Sequence, residues 1–154
     1  MREFRKKYGS LFFCILVTIA VIAVTAWSSS QTGAVSGGNS RNLVRKILKF
    51  LSVDYTSAML SRYDHLLRKA AHFILYFILG CSLTGIYCRQ KRVPTVLAVI
   101  PTGAVLAALD EFHQKFSDGR SPMVTDVLLD TCGVAAGCFL VTVVLYCMGR
   151  KTRK

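Results

Sequence analysis

Acidic residues and motifs with metal-ligand spacing are both scarce in this chain. Of its 154 residues only 8 are Asp or Glu, against 20 Lys or Arg. The six cysteines form no Cys-x-x-Cys pair, no His-Glu-x-x-His motif is present, and no Ser or Cys stands out as a nucleophile. These absences argue against a cysteine metal centre, a thiol redox centre and a site of the His-Glu-x-x-His type.

Charge is also absent from four long apolar stretches, at residues 11–27, 73–88, 93–109 and 131–148. A hydrophobic content of 53% and a mean hydropathy of +0.44 are high for a soluble domain. With its flanks, each stretch can cross about 30 Å of hydrocarbon. We predict an all-α membrane protein, a four-span helical bundle that forms a single domain over residues 1–154. The predicted spans lie at about 10–27, 70–88, 93–110 and 127–148, with an outer segment at 28–69.

The net charge of +12 would suit a nucleic-acid-binding protein if it were spread over one surface. Instead, more than half of the basic residues form three clusters at the ends of predicted spans. The clustered residues are Arg2, Arg5, Lys6, Lys7, Arg89, Lys91, Arg92, Arg150, Lys151, Arg153 and Lys154. By the positive-inside rule these ends are cytoplasmic. The charge therefore predicts a multi-pass protein of the plasma membrane with both termini in the cytoplasm and no nucleic-acid partner.

The first apolar run also fits a secretory signal peptide, with Val24 and Ala26 as the small residues before a cleavage site. Because the run is longer than a usual signal core, we expect it to be retained as the first span. Cleavage after Ala26 would leave three spans in the same orientation.

Residues 41–51 follow a linker rich in Gly and Ser and have the pattern of an amphipathic helix. The apolar positions are Leu43, Val44, Ile47, Leu48 and Leu51, and the basic ones are Arg41, Arg45, Lys46 and Lys49. One interpretation is an outer interfacial helix whose basic face meets anionic headgroups. The other is a helix that packs on the bundle and leaves its charges in water.

The polar residues next to the spans converge on the outer membrane face in this topology. Arg68 and His72 share a helix face that Tyr76 continues one turn deeper, and Asp126 and Asp130 are stacked in the same way. A carboxylate at such a position is costly unless it is paired, hydrated or functional. The candidate residues are Gln31, Arg68, Lys69, His72, Tyr76, Asp110, Glu111, Gln114, Arg120, Asp126 and Asp130.

Three interpretations of these residues remain open. In an enzyme, Asp110, Glu111 and Asp126 would bind Mg²⁺ or act as acid and base, Arg68 and Arg120 would hold a phosphate, and His72 would transfer a proton. In a binding protein, the same acids and arginines would form an internal ion-pair network that shapes a pocket for the headgroup of a membrane lipid or lipid-linked cell-wall intermediate. The other candidates would contact the substrate or ligand in either case. In a purely structural arrangement, the charges would neutralise one another. The histidine would then be a buried group with one hydrogen bond.

Two spaced motifs resemble those of a known family. Residues 68–80 resemble the signature R-K-x-x-H-F-x-x-Y-x-x-L-G, and Asp110, Glu111, Gln114, Phe116, Gly119, Arg120, Asp126, Gly133 and Gly137 resemble a second signature in the same order. The chain is similar to VanZ-like membrane proteins, which implies a cell-envelope role in low-level resistance of Gram-positive bacteria to teicoplanin and related glycopeptides. It departs from the pattern at Asp118, where Pro is usual, and at Asp130, where Asn is usual.

Overall fold

The computed structural model describes residues 2–31, 33–88, 94–117 and 123–151, and the regular structure within these ranges is helical throughout. The helices are α1 (Arg2–Ser30), α2 (Gly33–Phe50), α3 (Ser57–Tyr87), α4 (Thr95–Gln114) and α5 (Val124–Lys151). The predicted all-α fold is confirmed.

Four of these helices are long and apolar enough to cross a membrane, namely α1 over Tyr8–Ser30, all of α3, all of α4, and α5 over Val124–Met148. Large apolar side chains such as Phe13, Leu97 and Phe139 are exposed on the outside of the bundle, as expected for a surface that faces lipid. The multi-pass architecture is therefore confirmed. Helix α3 has 31 residues, a length of roughly 46 Å, so it is longer than the hydrocarbon core is thick.

A short connection folds α2 back onto α3. At the end of α2 the backbone N–H of Val53 donates to the carbonyl of Leu48 at 3.0 Å, and Ser52 takes a positive φ of 53°, the usual way for a helix to stop and reverse. Thr56 then caps α3, because its hydroxyl accepts from the N–H of Met59 at 3.3 Å. Val44 and Leu48 pack against Leu60 of α3. The amphipathic helix predicted from residues 41–51 is confirmed within α2. The prediction of a linker before it is wrong for residues 33–40, because α2 begins at Gly33.

Glycines let α3 and α5 approach to backbone contact. A Cβ added to Gly80 would overlap the backbone of Val134, and one added to Gly137 would overlap the carbonyl of Phe77. The same Val134 packs against Gly103 of α4 and is fully buried. This close packing of small residues brings the polar ends of α3, α4 and α5 together.

Helix α1 completes the bundle along α3 and α4. The Thr18 hydroxyl donates to the hydroxyl of Ser82 at 2.9 Å, and Val21 joins the central cluster that contains Tyr76 and Leu79. A hydroxyl pair inside an apolar bundle satisfies polar groups that lipid would leave unpaired. The end of α1 lies next to the end of α4, where the Ser29 hydroxyl donates to Asp110.

Candidate functional site

Polar side chains from four helices meet at one end of the bundle, where α1 and α4 end and α5 begins. We call this the acidic end, and its members are Ser29, Lys69, His72, Asp110, Glu111, Gln114, Asp126 and Asp130. Most of the residues singled out from the sequence lie here, so a pattern spread over the chain becomes a single site.

The centre of the acidic end is a cluster of His72 on α3, Asp110 on α4 and Asp130 on α5. The His72 Nδ1 atom lies 3.9 Å from Asp110 Oδ2 and 3.7 Å from Asp130 Oδ2. Asp110 is 8% exposed and Asp130 3%. The His72 side chain is 20% exposed. An imidazole between two carboxylates can exchange a proton with either of them or share a cation with both.

Neighbouring polar groups orient Asp110. The Ser29 hydroxyl, fully buried at the end of α1, donates to Asp110 Oδ1 at 2.7 Å. The side-chain amide of Gln114 donates to Asp110 Oδ2 at 3.3 Å. In turn the Ser117 hydroxyl donates to the Ser29 carbonyl at 2.7 Å. Both oxygens of Asp110 therefore have protein donors, which fixes the direction of the carboxylate.

Glu111 and Asp126 have partners outside this central cluster. Glu111 Oε1 accepts from the backbone N–H of Met123 at 2.6 Å, so it satisfies an amide just before α5 begins. Asp126 Oδ1 lies 2.6 Å from Lys69 Nζ, and both side chains are about one-third exposed. Of the three carboxylates that the sequence suggested as Mg²⁺ ligands, the structure brings only Asp110 to the central cluster.

A second group of charges joins α2 to α3 around Asp64, and the sequence analysis did not select it as a site. Asp64 Oδ2 lies 3.5 Å from Arg41 Nε and 3.4 Å from the Arg68 guanidinium. Asp64 Oδ1 accepts from the Ser40 hydroxyl. The sequence did indicate the pair with Arg68, because an acid four residues before an arginine on a helix typically forms an ion pair with it. The contacts with Arg41 and Ser40 were not predictable from spacing, because these residues belong to α2.

Two other predicted residues, Tyr76 and Gln31, lie outside the central cluster. Tyr76 is 2% exposed, and its hydroxyl donates to the Leu106 carbonyl of α4 at 3.4 Å. Gln31 follows α1 directly, is partly exposed, and donates its backbone N–H to the Ser28 carbonyl at 3.3 Å. Arg120, proposed as a phosphate ligand, lies outside the described residues, as does the turn at 118–122.

Comparison with known proteins identifies one family. The family model described as VanZ/LLP1 matches residues 12–145, which is most of the chain. Neither a curated protein nor a solved structure gives a match.

Proposed function

Since the chain belongs to the VanZ/LLP1 family, we propose that it is a cell-envelope protein of the plasma membrane that binds a phosphate-bearing lipid headgroup. The headgroup would belong to a membrane lipid or to a lipid-linked cell-wall intermediate. Low-level resistance of a Gram-positive cell to glycopeptides such as teicoplanin would follow from the altered availability of that lipid. The observation that carries the proposal is a cationic cluster beside an apolar groove, both built by α2 and α3.

The groove has the character of an acyl-chain site. It has a volume of about 520 Å³ and a lining that is almost entirely apolar. The lining residues are Val44, Ile47, Leu48, Leu51, Val53, Tyr63, Leu66, Leu67 and Ala70. An apolar groove of this size on a membrane protein favours a lipid chain, because a polar occupant would lose its hydrogen bonds there.

Two arginines, Arg41 of α2 and Arg68 of α3, belong to the helices that line the groove. Arg41 and Arg68 share one carboxylate, that of Asp64, so the three side chains together carry one net positive charge. The Arg68 Nε atom is buried and has no hydrogen-bond partner among the described residues. A guanidinium with a free donor is well suited to a phosphate oxygen, which accepts charged hydrogen bonds strongly. A lipid with its chain in the groove and its phosphate at Arg68 would satisfy both features.

The orientation of the bundle is part of this proposal. The three basic clusters named above favour a cytoplasmic position for both termini, which would turn the acidic end and the groove towards the outside. In a cysteine-free variant, Lys115→Cys is expected to react with a membrane-impermeant maleimide added to intact cells, whereas Gln90→Cys is expected to react only after lysis. The opposite labelling would overturn the orientation.

Lipid binding is tested with the full-length protein purified in mild detergent. Native mass spectrometry should detect a bound anionic phospholipid or polyprenyl phosphate, and the mass of the ligand distinguishes the two sources. Arg68→Ala is expected to lower occupancy about tenfold, since a charged hydrogen bond contributes about 1.5–3 kcal/mol. Ala70→Phe, which fills the groove, should also lower it.

Arg45→Ala is the matched control, because Arg45 is an exposed guanidinium on α2 that donates to Asn42 at 3.3 Å and takes no part in the Asp64 cluster. It should retain the lipid. Equal occupancy in Arg68→Ala, Ala70→Phe and the native protein would contradict the proposal, and so would a preference for a lipid without phosphate, such as a diacylglycerol, over phospholipids and polyprenyl phosphates.

The position of His72 between Asp110 and Asp130 favours a second candidate function, an enzyme that carries out phosphoryl or headgroup chemistry on an envelope lipid. The two functions are distinguished by comparing the lipids of cells that express the native chain with those of cells that express Asp110→Asn at equal abundance. A lipid species that changes with the native protein alone would favour chemistry. Unchanged lipids together with a loss of teicoplanin resistance in Arg68→Ala would favour binding.

A further inference from the structure

The central cluster at the acidic end has an unusual balance of charge. Asp110 and Asp130 are both almost fully buried, and His72 is the basic side chain recorded within 4.0 Å of either carboxylate among the described residues. The nearby cations are paired elsewhere, Lys69 with Asp126 and Arg68 with Asp64. If both carboxylates are ionised, even a protonated imidazole leaves one negative charge without compensation among these side chains, which is costly at a membrane interface.

Asp130 supplies a second, independent observation. Its side chain is only 4% exposed, and its Oδ1 atom has no hydrogen-bond partner within the described part of the chain. Buried carboxylate oxygens are otherwise almost always satisfied. The orphaned oxygen belongs to the same carboxylate whose other oxygen faces His72. A cation or a proton at this place would satisfy it.

The spacing of the three side chains favours a bound cation over three groups that are only near one another. One ligand atom from each of His72, Asp110 and Asp130 lies within 4.8 Å of the other two. Around a metal ion with bonds of about 2.0–2.2 Å, neighbouring ligand atoms are roughly 3.3 Å apart. The observed separations from His72 Nδ1, 3.7 and 3.9 Å, would close to that value by a small side-chain adjustment.

The surroundings of the cluster are also those of a metal site. The hydroxyl of Ser29 and the amide of Gln114 hold the Asp110 carboxylate in place, as outer hydrogen bonds do for metal ligands. The donors come from three different helices, so the site is formed only when the bundle is assembled. One imidazole nitrogen and two carboxylate oxygens suit Zn²⁺ or Mn²⁺ better than a thiol-preferring ion.

We propose that His72, Asp110 and Asp130 bind a divalent transition-metal ion, with coordination positions left over for water or a phosphate oxygen. The ion offsets the buried carboxylates and links α3, α4 and α5. This site does not depend on lipid binding at Arg68, and it uses neither Glu111 nor Asp126.

Metal binding is measured on the full-length protein in detergent after treatment with a chelator and in the absence of added lipid. Titration with Zn²⁺ and with Mn²⁺, followed by calorimetry and elemental analysis, should give about one ion per chain and a rise in melting temperature. Mn²⁺ serves as a second probe because it has little affinity for the six cysteines. In Mn²⁺-loaded protein, electron spin-echo modulation should detect an imidazole nitrogen.

Three variants assign the ligands. Asp130→Asn and His72→Gln are expected to weaken binding at least about tenfold, in line with the loss of a ligand, and His72→Gln should remove the nitrogen modulation. Asp126→Asn is the matched control at the same end of the bundle, and it should bind the metal as the native protein does.

Two results would overturn the metal site. One is no binding of either ion by the native protein at millimolar concentration, which would leave a shared proton to neutralise the carboxylates. The other is binding at a different place. Equal weakening by Asp130→Asn and Asp126→Asn would show this, and so would the absence of the nitrogen signal in the native protein. Neither result bears on the lipid occupancy of Arg68→Ala, so the two proposals fail separately.

Discussion

Asp64 and Asp130 are two carboxylates that are equally hidden from solvent but very differently matched. Asp64 is 1% exposed, accepts from the Ser40 hydroxyl, and lies within 3.5 Å of the two guanidinium groups of Arg41 and Arg68. Asp130 is 3% exposed, faces His72 at 3.7 Å, and has one oxygen without a partner among the described residues. Burial alone thus does not separate an acid whose charge is matched by protein groups from one with an oxygen that no described protein group satisfies.

The physical difference lies in what happens when the charge is removed. Around Asp64, loss of the charge leaves two arginines that repel each other and weakens the hydrogen bond from the Ser40 hydroxyl, because a neutral oxygen is a poorer acceptor than a carboxylate. Around Asp130, loss of the charge removes an electrostatic cost that the described protein groups do not offset. Removing the charge should therefore destabilise the protein at Asp64 and not at Asp130. The following experiments run from the largest expected effect to the smallest.

Asp64→Asn is expected to lower the free energy of unfolding by about 2–3 kcal/mol, the scale of lost hydrogen bonds to a charged group. The measurement is unfolding by SDS in mixed micelles, followed by helical circular dichroism. Because α2 is held to α3 by Arg41 and by apolar contacts with Leu60, proteolysis of α2 should also become faster. A variant as stable as the native protein would show that the apolar contacts alone hold α2.

Lys69→Ala is expected to cost about 1 kcal/mol, because its pair with Asp126 at 2.6 Å is about one-third exposed and so is screened. The same SDS titration measures the loss. A Lys69→Asp, Asp126→Lys double variant tests the cause, since it restores opposite charges in the same contact. If the double variant is less stable than Lys69→Ala, the loss does not come from the ion pair.

Asp130→Asn is expected to leave the metal-free protein as stable as the native chain, or to stabilise it by up to about 1 kcal/mol, because an isosteric amide replaces a charge without a full partner. The titration is run with a chelator present. Adding Zn²⁺ or Mn²⁺ should then stabilise the native protein and not the variant. A loss as large as that of Asp64→Asn would mean that the Asp130 charge is structurally matched, and the contrast between the two acids would disappear.

The fold was largely predictable because its signals are local. The absence of charge over each apolar stretch predicted the four spans, and the spacing of Leu43, Val44 and Leu48 predicted the amphipathic helix in α2. Pairs four residues apart predicted which residues share a helix face. The length of α3 was less accessible, because residues 57–69 contain charges and lie outside the apolar run, and their helix depends on the Thr56 cap and on packing with α2.

The candidate site was predictable in membership and not in arrangement. His72, Asp110 and Asp130 were all selected as polar groups at span ends, yet nothing in their separation along the chain indicates that they meet in one cluster. Ser29, which fixes Asp110, and Asp64, which joins α2 to α3, were not selected, because the partners that give them these roles, Asp110 and Arg41, lie on other helices.

By itself the sequence determined that this is a helical membrane protein, where its spans lie, and that its acids gather beside them, since hydropathy and helical period depend on neighbouring residues. Only the tertiary structure decided which acid meets which base. Lys69 pairs with Asp126, Arg41 of α2 pairs with Asp64 of α3, and Asp130 is left with His72. The physical reason is that glycine contacts set the distance between α3 and α5. A change of a few ångströms in that distance decides whether two charged side chains are close enough to pair.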